Sequence, residues 1–202
     1  MSEVDRSEPE ENWPAILTWR AHDVPRMESV RVQLSGNRIK AYGRIVAAAT
    51  ATHPSFSASY DLVTNDQGAT KRLSLTVTLA ERERQLSIAR DVEGLWTVQD
   101  HQGQSKRETH DDALDVDVSL SPFFNALPIR RNALHQRKEK ISVPVVYVRL
   151  PELTVETAVI SYASAGPDAT GGIELKSPVA ETSVSIDDDG FILDYPGLAE
   201  RI

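Results

Sequence analysis

The stretch Leu114–Arg131, LDVDVSLSPFFNALPIRR, decides the fold of this 202-residue chain. From Leu114 to Leu120 apolar and polar residues alternate, which is the two-residue period of a half-buried β-strand. Ser121 and Pro122 then predict a short helix, with the serine as N-cap and the proline at the first helical position. Pro128 is predicted to end that helix after about one or two turns. A strand, a short helix and two arginines therefore follow one another.

The same two-residue period continues on both sides of this stretch. Apolar residues alternate with polar ones in the ranges 30–34, 73–79, 86–88 and 184–186. Between such runs lie pairs that tolerate positive φ, for example Gly36-Asn37 and Asp189-Gly190, as tight hairpins require. Short strands joined by hairpin turns predict an antiparallel meander, sandwich or barrel.

The composition suggests how the chain is divided. Residues 1–12 are acidic and poor in apolar side chains, which predicts a disordered N-terminus. Residues 13–202 are predicted to form a single β domain, because all-β domains often reach about 200–250 residues. The polar residues 101–112 are predicted to be a loop that joins two β-rich halves, and residues 12–20 carry a weak signal for a helical turn.

Charge and cysteine content exclude several classes of protein. The chain has no cysteine, which excludes disulfides, thiolate zinc sites and a cysteine nucleophile. It has neither a secretory signal nor an apolar run of 18 residues, so we expect a cytoplasmic protein with no membrane span. The net charge of -8 argues against a nucleic-acid partner. The one basic cluster in the sequence, residues 130–140, is predicted to be a solvated connection between strands.

Asp115 and Asp117 form a candidate carboxylate pair. Two residues apart on one strand, both side chains point to the same face, about 6.5–7 Å from each other. That spacing lies within the range of about 5–9.5 Å used by glycosidases. The structural alternative, which we favour, is a bidentate ion pair with Arg130 or Arg131. We predict no catalytic residue and no cofactor, since the sequence has neither a nucleophile elbow nor a glycine-rich phosphate loop.

The pattern of acidic and histidine residues predicts no metal site. The acidic run Asp187–Gly190 would need an acidic twelfth ligand to form an EF-hand, and Pro196 occupies that position. We expect a hairpin turn there instead. His110, next to Asp111, is predicted to lie in a polar loop.

Two features predict contacts beyond one core. The strand ISVPVVYVRL, residues 141–150, is apolar on both faces, so both should be covered. Pro144 in this strand marks a bulge or an edge position. Phe123 and Phe124 are adjacent on a short helix and cannot both face one core. At least one ring is therefore predicted to meet another surface, a ligand or a partner.

Residues 115–131, DVDVSLSPFFNALPIRR, resemble the D-V-D-L…T/S-P…N-x-L-P-I-R-R signature of the bacterial putative glycolipid-binding family. Residues 145–151 resemble its W-V-x-x-P strand, and residues 189–198 its closing D-x-x-G-x-x-x-x-Y-P-x-L. The chain departs from the family in lacking a cysteine before the D-V-D strand and in carrying TGGI at 170–173. The resemblance implies a mainly β fold: a strongly bent antiparallel sheet or barrel-like β structure with one or two short helices. It also implies similarity in shape to carriers that move lipoproteins between membranes.

Three functional hypotheses follow. The first, which the resemblance supports, is a protein that binds a glycolipid or another acyl-chain ligand inside a curved sheet. Its predicted ligand-binding residues are Phe123, Phe124, Val146 and Val148 in the lining and Arg130 and Arg131 at the mouth. The second is an enzyme acting on carbohydrate or glycolipid through Asp115 and Asp117, and the third is a protein-interaction module that uses the two phenylalanines. The residues predicted to be structural are Asp115, Asp117, Pro122, Asn125 and Pro128.

Overall fold

The computed structural model describes residues 13–166 and 172–202, and their strands lie in one sheet. The prediction for residues 1–12 lies outside the described ranges. In the first half the strands are β1 Ala15–Ala21, β2 Arg26–Ser35, β3 Arg38–Ala47, β4 Phe56–Thr64, β5 Thr70–Thr78, β6 Glu83–Arg90, β7 Trp96–Gln99 and β8 Ser105–Glu108. In the second half they are β9 Asp115–Val118, β10 Lys138–Arg149, β11 Thr154–Ala165, β12 Ile173–Lys176, β13 Glu181–Ile186, β14 Ile192–Tyr195 and β15 Ala199–Arg201.

The strand order is β8-β7-β6-β5-β4-β3-β2-β1-β15-β14-β13-β12-β11-β10-β9. Neighbours are antiparallel except β9 and β10, which run parallel. The sheet bends so far that its β9 end returns to β5, where the backbone N–H of Thr70 donates to the carbonyl of Leu114 at 2.8 Å. The sheet does not close. The predicted mainly β, strongly bent antiparallel fold is confirmed.

The helical segment follows β9 in two parts. A 3-10 turn, Phe123–Asn125, continues directly into the α-helix α1, Ala126–Arg131. Pro128 does not end the helix, contrary to the prediction, because it stands in the first turn of α1, where a backbone N–H has no intrahelical partner to lose. Pro122 precedes the first helical position. Ser121 does not cap the helix, since its hydroxyl donates elsewhere.

Two segments differ from their predicted structure. Of the predicted turn at residues 12–20, residue 12 lies outside the described ranges, and residues 13–20 form no helical turn but belong largely to β1, which carries the buried Trp19. Residues 101–112 contain β8 and a 3-10 turn, His110–Asp112, instead of only a loop. Strand β8 shows no apolar alternation because it lies at the edge of the sheet and buries neither face. That residues 13–202 make a single domain stays a prediction.

Strand β10 separates two hydrophobic cores. Val146 and Val148 belong to the first core, which includes Phe123 and the inward residues of β2 to β7. Val145 and Tyr147 belong to the second core, which the strands β10 to β14 form with the end of the helix. The prediction that both faces of residues 141–150 are covered is therefore confirmed for residues 145–148, whereas Ser142 is exposed.

Candidate functional site

A cavity of about 300 Å³ opens where the second half of the sheet bends around the start of the helix. Its volume is at the lower end of the range of about 300–1,000 Å³ that is typical of small-molecule sites. The walls come from β9 and the following turn, from β10 and β11, from the β12–β13 turn and from the β14–β15 hairpin. The lining residues are Asp117, Val118, Ser119, Leu120, Ser121, Asn125, Tyr147, Ile160, Ser177, Val179, Ala180, Tyr195, Pro196, Gly197 and Leu198.

Asp117 is the ionisable carboxyl group in this lining. Burial raises its pKa to about 7, and the negative charge of Asp115 acts in the same direction, while the N–H of Val118 opposes both. Within residues 13–166 and 172–202, no lysine or arginine forms an ion pair with Asp117. Burial thus favours the protonated form of this carboxyl group, which can both donate and accept a hydrogen bond.

Asp115 has a different role, although it lies on the same face of β9. Its side chain is fully buried. The guanidinium of Arg131 donates from Nη2 to Oδ2 of Asp115 and from Nε to Oδ1, the latter at 3.4 Å. Burial raises the pKa of Asp115, and the charge of Arg131 opposes that shift. The predicted structural ion pair is therefore confirmed for Asp115 with Arg131, and Asp117 takes no part in it.

Tyrosine hydroxyls complete the polar part of the site. Burial raises the pKa of Tyr195 to about 12, with the nearby charge of Asp117 adding to the shift. Burial also raises the pKa of Tyr147. Behind them the hydroxyl of Tyr162 donates to the side-chain oxygen of Asn125 at 3.0 Å, which fixes that residue in the wall. The polar part of the lining thus consists of neutral hydroxyls, one amide and the carboxyl group of Asp117.

A buried acid lies directly behind the cavity wall. The hydroxyls of Tyr60 and Ser121 both donate to Oε1 of Glu28, each at 2.6 Å. The backbone N–H of Phe123 also approaches this carboxyl group and stabilises its charged form. Burial raises the pKa of Glu28 to about 7, although these hydrogen bonds and the charge of Arg26 oppose the shift. Because Ser121 lines the cavity, this network connects the first core to the site.

Sequence reasoning missed Glu28, although a signal was present. Val30 and Val32 point inward, and the two-residue period carried back along β2 places Glu28 and Arg26 on the same inward face. A charged residue at an inward position is uncommon unless it is paired. Arg26 donates to the carbonyl of Leu198 at 3.0 Å, which ties β2 to the cavity's hairpin.

Gly43 is expected to be required for this network. It stands opposite Tyr60, and a Cβ atom added to it would overlap the Tyr60 ring. Gly43→Ala should displace the ring and lower the free energy of unfolding in urea by about 1–3 kcal/mol. In a Tyr60→Ala background the same substitution should have little further effect. An equal effect in both backgrounds would contradict this explanation.

The two phenylalanines lie in the first core, outside the cavity. Phe123 is 0% and Phe124 is 1% exposed, so the prediction that one ring meets another surface is wrong. The reason is that the bent sheet encloses the helix on more than one side. Phe123 stacks against Phe191 with ring centroids 6.1 Å apart, and Phe124 lies 5.0 Å from the ring of Tyr60.

The other predicted ligand-binding residues also lie outside the cavity wall. Val146 and Val148 are in the first core, and Arg131 holds Asp115. Arg130 donates to the carbonyl of Asp189 and lies over the ring of Phe191 at 5.2 Å. A role in ligand binding for Phe123, Phe124, Arg130, Arg131, Val146 and Val148 stays a prediction.

One smaller expectation, the hairpin turn at residues 187–190, is settled by the contacts. Asp187 accepts hydrogen bonds from the N–H groups of Asp189 and Phe191, at 3.0 and 2.8 Å, which confirms a hairpin turn. Within the described ranges, no three histidine, aspartate or glutamate side chains come close enough to hold a metal ion. In residues 13–166 and 172–202 no helix is long and apolar enough to cross a membrane.

The fold and the site define a class: a strongly bent, open β-sheet protein with a small cavity of mixed polarity beside an unpaired acid. A family model described as putative glycolipid-binding matches residues 16–201, and the chain belongs to that family. The crystal structure of a DUF1089 family protein from Pseudomonas aeruginosa is similar, with 23% identity and a TM-score of 0.68 over 91% of this chain and 95% of that one. At that identity the likeness shows the fold alone. No curated protein matches the sequence significantly.

Proposed function

We propose that this protein binds a glycolipid-like amphiphile and that the cavity takes its polar head group. The observation that carries the proposal is Asp117. Asp117 is partly buried in the cavity wall and has no cationic partner among the described residues, and carboxyl groups in such settings cluster at functional sites. Asp115, two residues away, forms an ion pair with Arg131. Of the two aspartates, the one without an ion pair is therefore the one that faces the cavity.

The polarity of the lining supports a head group that is rich in hydroxyls. Asp117, the tyrosine hydroxyls and the serines of the wall can donate and accept hydrogen bonds in several directions. Apolar side chains, among them Ile160, Val179 and Leu198, cover the rest of the surface. Sugar rings combine such polar edges with apolar faces, and small-ligand sites generally use a few polar groups in an apolar setting.

The size of the cavity supports a head group more than a whole lipid. About 300 Å³ corresponds to roughly ten water molecules, at about 30 Å³ each. This is enough for a single sugar ring or a short acyl segment. The rest of a glycolipid would extend through the open side. The first core is a less suitable place for a ligand, because its large side chains, such as Phe123 and Trp96, are fully buried within it.

The two other hypotheses receive less support. A carboxylate-pair enzyme needs both acids at the substrate, and Asp115 is fully buried and held by Arg131. An interaction module built on Phe123 and Phe124 needs exposed rings, and both are in the first core. We therefore propose binding without a reaction.

Octyl β-D-glucoside, which joins one sugar ring to a short alkyl chain, is a suitable probe. Calorimetric titration below its micelle concentration should show binding to the native protein. Asp117→Leu should weaken that binding about tenfold or more, because it removes a strong hydrogen-bonding group from the site. The same variant should be no less stable in urea, because a partly buried acid without a cationic partner is lost.

Asp66→Leu, at an exposed position, is the matched control and should bind like the native protein. Native mass spectrometry of the purified protein adds a second readout, since a co-purifying glycolipid should be lost from Asp117→Leu. Equal affinity of the two variants for the glucoside would count against Asp117 as the contact residue. No bound glucoside and no co-purified lipid in the native protein would overturn the proposal.

A further inference from the structure

We propose that the outer face of β1–β3 docks on an anionic lipid surface. The residues of this face point outward from the sheet, and the pairing of the three strands makes them neighbours although they are distant in sequence. It combines arginines with exposed apolar side chains, which is the composition that binds membrane interfaces. We call it the basic outer face and define it by Ile16, Met27, Arg31, Tyr42, Arg44 and Val46.

The register brings these residues into rows across the strands. Arg31 on β2 lies between Ile16 on β1 and Tyr42 on β3. In the neighbouring rows Ser29 stands opposite Arg44, and Met27 stands opposite Val46. Adjacent strands are about 4.8 Å apart, so the side chains of one row are in direct proximity. The six residues therefore form one continuous surface.

The apolar members of this face are unusually exposed. Ile16 is 70%, Val46 is 55%, Tyr42 is 49% and Met27 is 42% exposed. Single exposed apolar residues are normal, whereas a contiguous group of them marks a binding surface. The inward neighbours on the same strands, such as Val30 and Ile45, are fully buried, so the first core is complete without these side chains.

The charge of the face is opposite to that of the chain. The protein carries a net charge of -8, yet Arg31 and Arg44 lie on this face, and the exposed Lys40 lies beside it on β3. In the part of the chain that the structure describes, none of the three forms an ion pair. Two acids border this face. Asp61 on β4, opposite Tyr42, faces Arg72 at 3.8 Å. Glu200 on β15 forms an ion pair with Arg20, which stands opposite Met27. The cations are thus available to an external anion.

Lipid phosphates fit this face better than nucleic acid does. An anionic bilayer attracts the lysine and arginine side chains of a protein over a distance of about one Debye length, roughly 8–10 Å. Exposed isoleucine, valine and methionine gain from entering the interface, whereas they have no partner on a phosphate backbone. A polyanion long enough to extend beyond the face would also meet the acidic remainder of the protein. This inference does not rest on the cavity, so it can fail or hold independently of the proposed function.

Co-sedimentation with vesicles tests the proposal. The native protein should bind vesicles of phosphatidylcholine with one-third phosphatidylglycerol, and should bind pure phosphatidylcholine much less. Binding should fall when salt rises from about 50 to about 200 mM. Arg31→Glu/Arg44→Glu should reduce binding about tenfold or more. Tyr42→Ser/Val46→Ser keeps every charge and should also reduce binding, which simple electrostatic adsorption does not explain.

Lys106→Glu/Lys176→Glu is the matched control, because it changes the net charge equally on β8 and β12, away from this face. It should bind vesicles like the native protein. Circular dichroism would establish that all three variants are folded. The proposal is overturned if the native protein stays in solution with anionic vesicles at low salt, or if the control loses as much binding as Arg31→Glu/Arg44→Glu. Preferential binding of duplex DNA at equal phosphate concentration would overturn it as well.

Discussion

Replacing Arg131 by methionine should lower the free energy of unfolding by about 3–5 kcal/mol, the range found when one partner of a buried ion pair is removed. Asp115 is fully buried, and Arg131 holds both of its carboxyl oxygens. Methionine preserves much of the side-chain length but leaves the carboxylate without a partner. Because burial already raises the pKa of Asp115, the variant should relieve part of the cost by taking up a proton. Urea unfolding at pH 7 measures the loss.

Two controls separate the buried ion pair from a general loss of charge. Arg149→Met removes an arginine from an exposed pair with Glu156 and should cost no more than about 1 kcal/mol. Asp115→Asn/Arg131→Met removes both charges and should be more stable than Arg131→Met alone, because no unpaired charge remains. If Arg131→Met is as stable as Arg149→Met, the ion pair does not hold this corner of the fold.

This corner was predictable because its determinants are close in sequence. The alternation of residues 114–120 and the turn at Ser121-Pro122 indicate that the chain reverses after β9. A reversal of that kind brings an arginine back to the aspartates, so the ion pair follows from local sequence. The choice between the two arginines depends on the far end of the chain, because Arg130 donates to the carbonyl of Asp189 instead. Residues 195–198, also from that end, line the cavity that Asp117 faces.

The unpredicted features depend on contacts between distant strands. The burial of Phe123 and Phe124 follows from the bend of the sheet, which brings Tyr60 and Phe191 to their rings. The basic outer face likewise depends on strand register: Arg31 and Arg44 lie on different strands, and only the pairing of β2 with β3 brings them into neighbouring rows. The net charge of -8 includes these arginines but does not indicate that they lie together on one face.

Glu28 should make the stability of the protein fall as the pH rises towards neutrality. Burial raises its pKa from an ordinary 4.5 to about 7, so the folded state keeps a proton that the unfolded state has already lost. Between these two pKa values the folded state binds more protons, and the free energy of unfolding therefore decreases with increasing pH. At about 1.4 kcal/mol per pKa unit, the contribution of Glu28 should fall by about 3 kcal/mol between about pH 4.5 and 7 and change little above that.

Glu28→Gln is the test of this dependence. Glutamine keeps a carbonyl oxygen that can accept from Tyr60 and Ser121, but it does not titrate. Urea unfolding across pH 4.5 to 8 should show the variant gaining stability relative to the native protein as the pH rises. Asp117 shifts in the same direction and remains in both proteins, so the difference between them isolates Glu28. A constant difference across the range would mean that Glu28 ionises alike in the folded and unfolded chains. If the native protein instead loses stability relative to Glu28→Gln as the pH rises, Glu28 is neutral in the folded protein at low pH and hydrogen-bonded to Tyr60 and Ser121. Above neutrality it is then a buried anion that destabilises the fold.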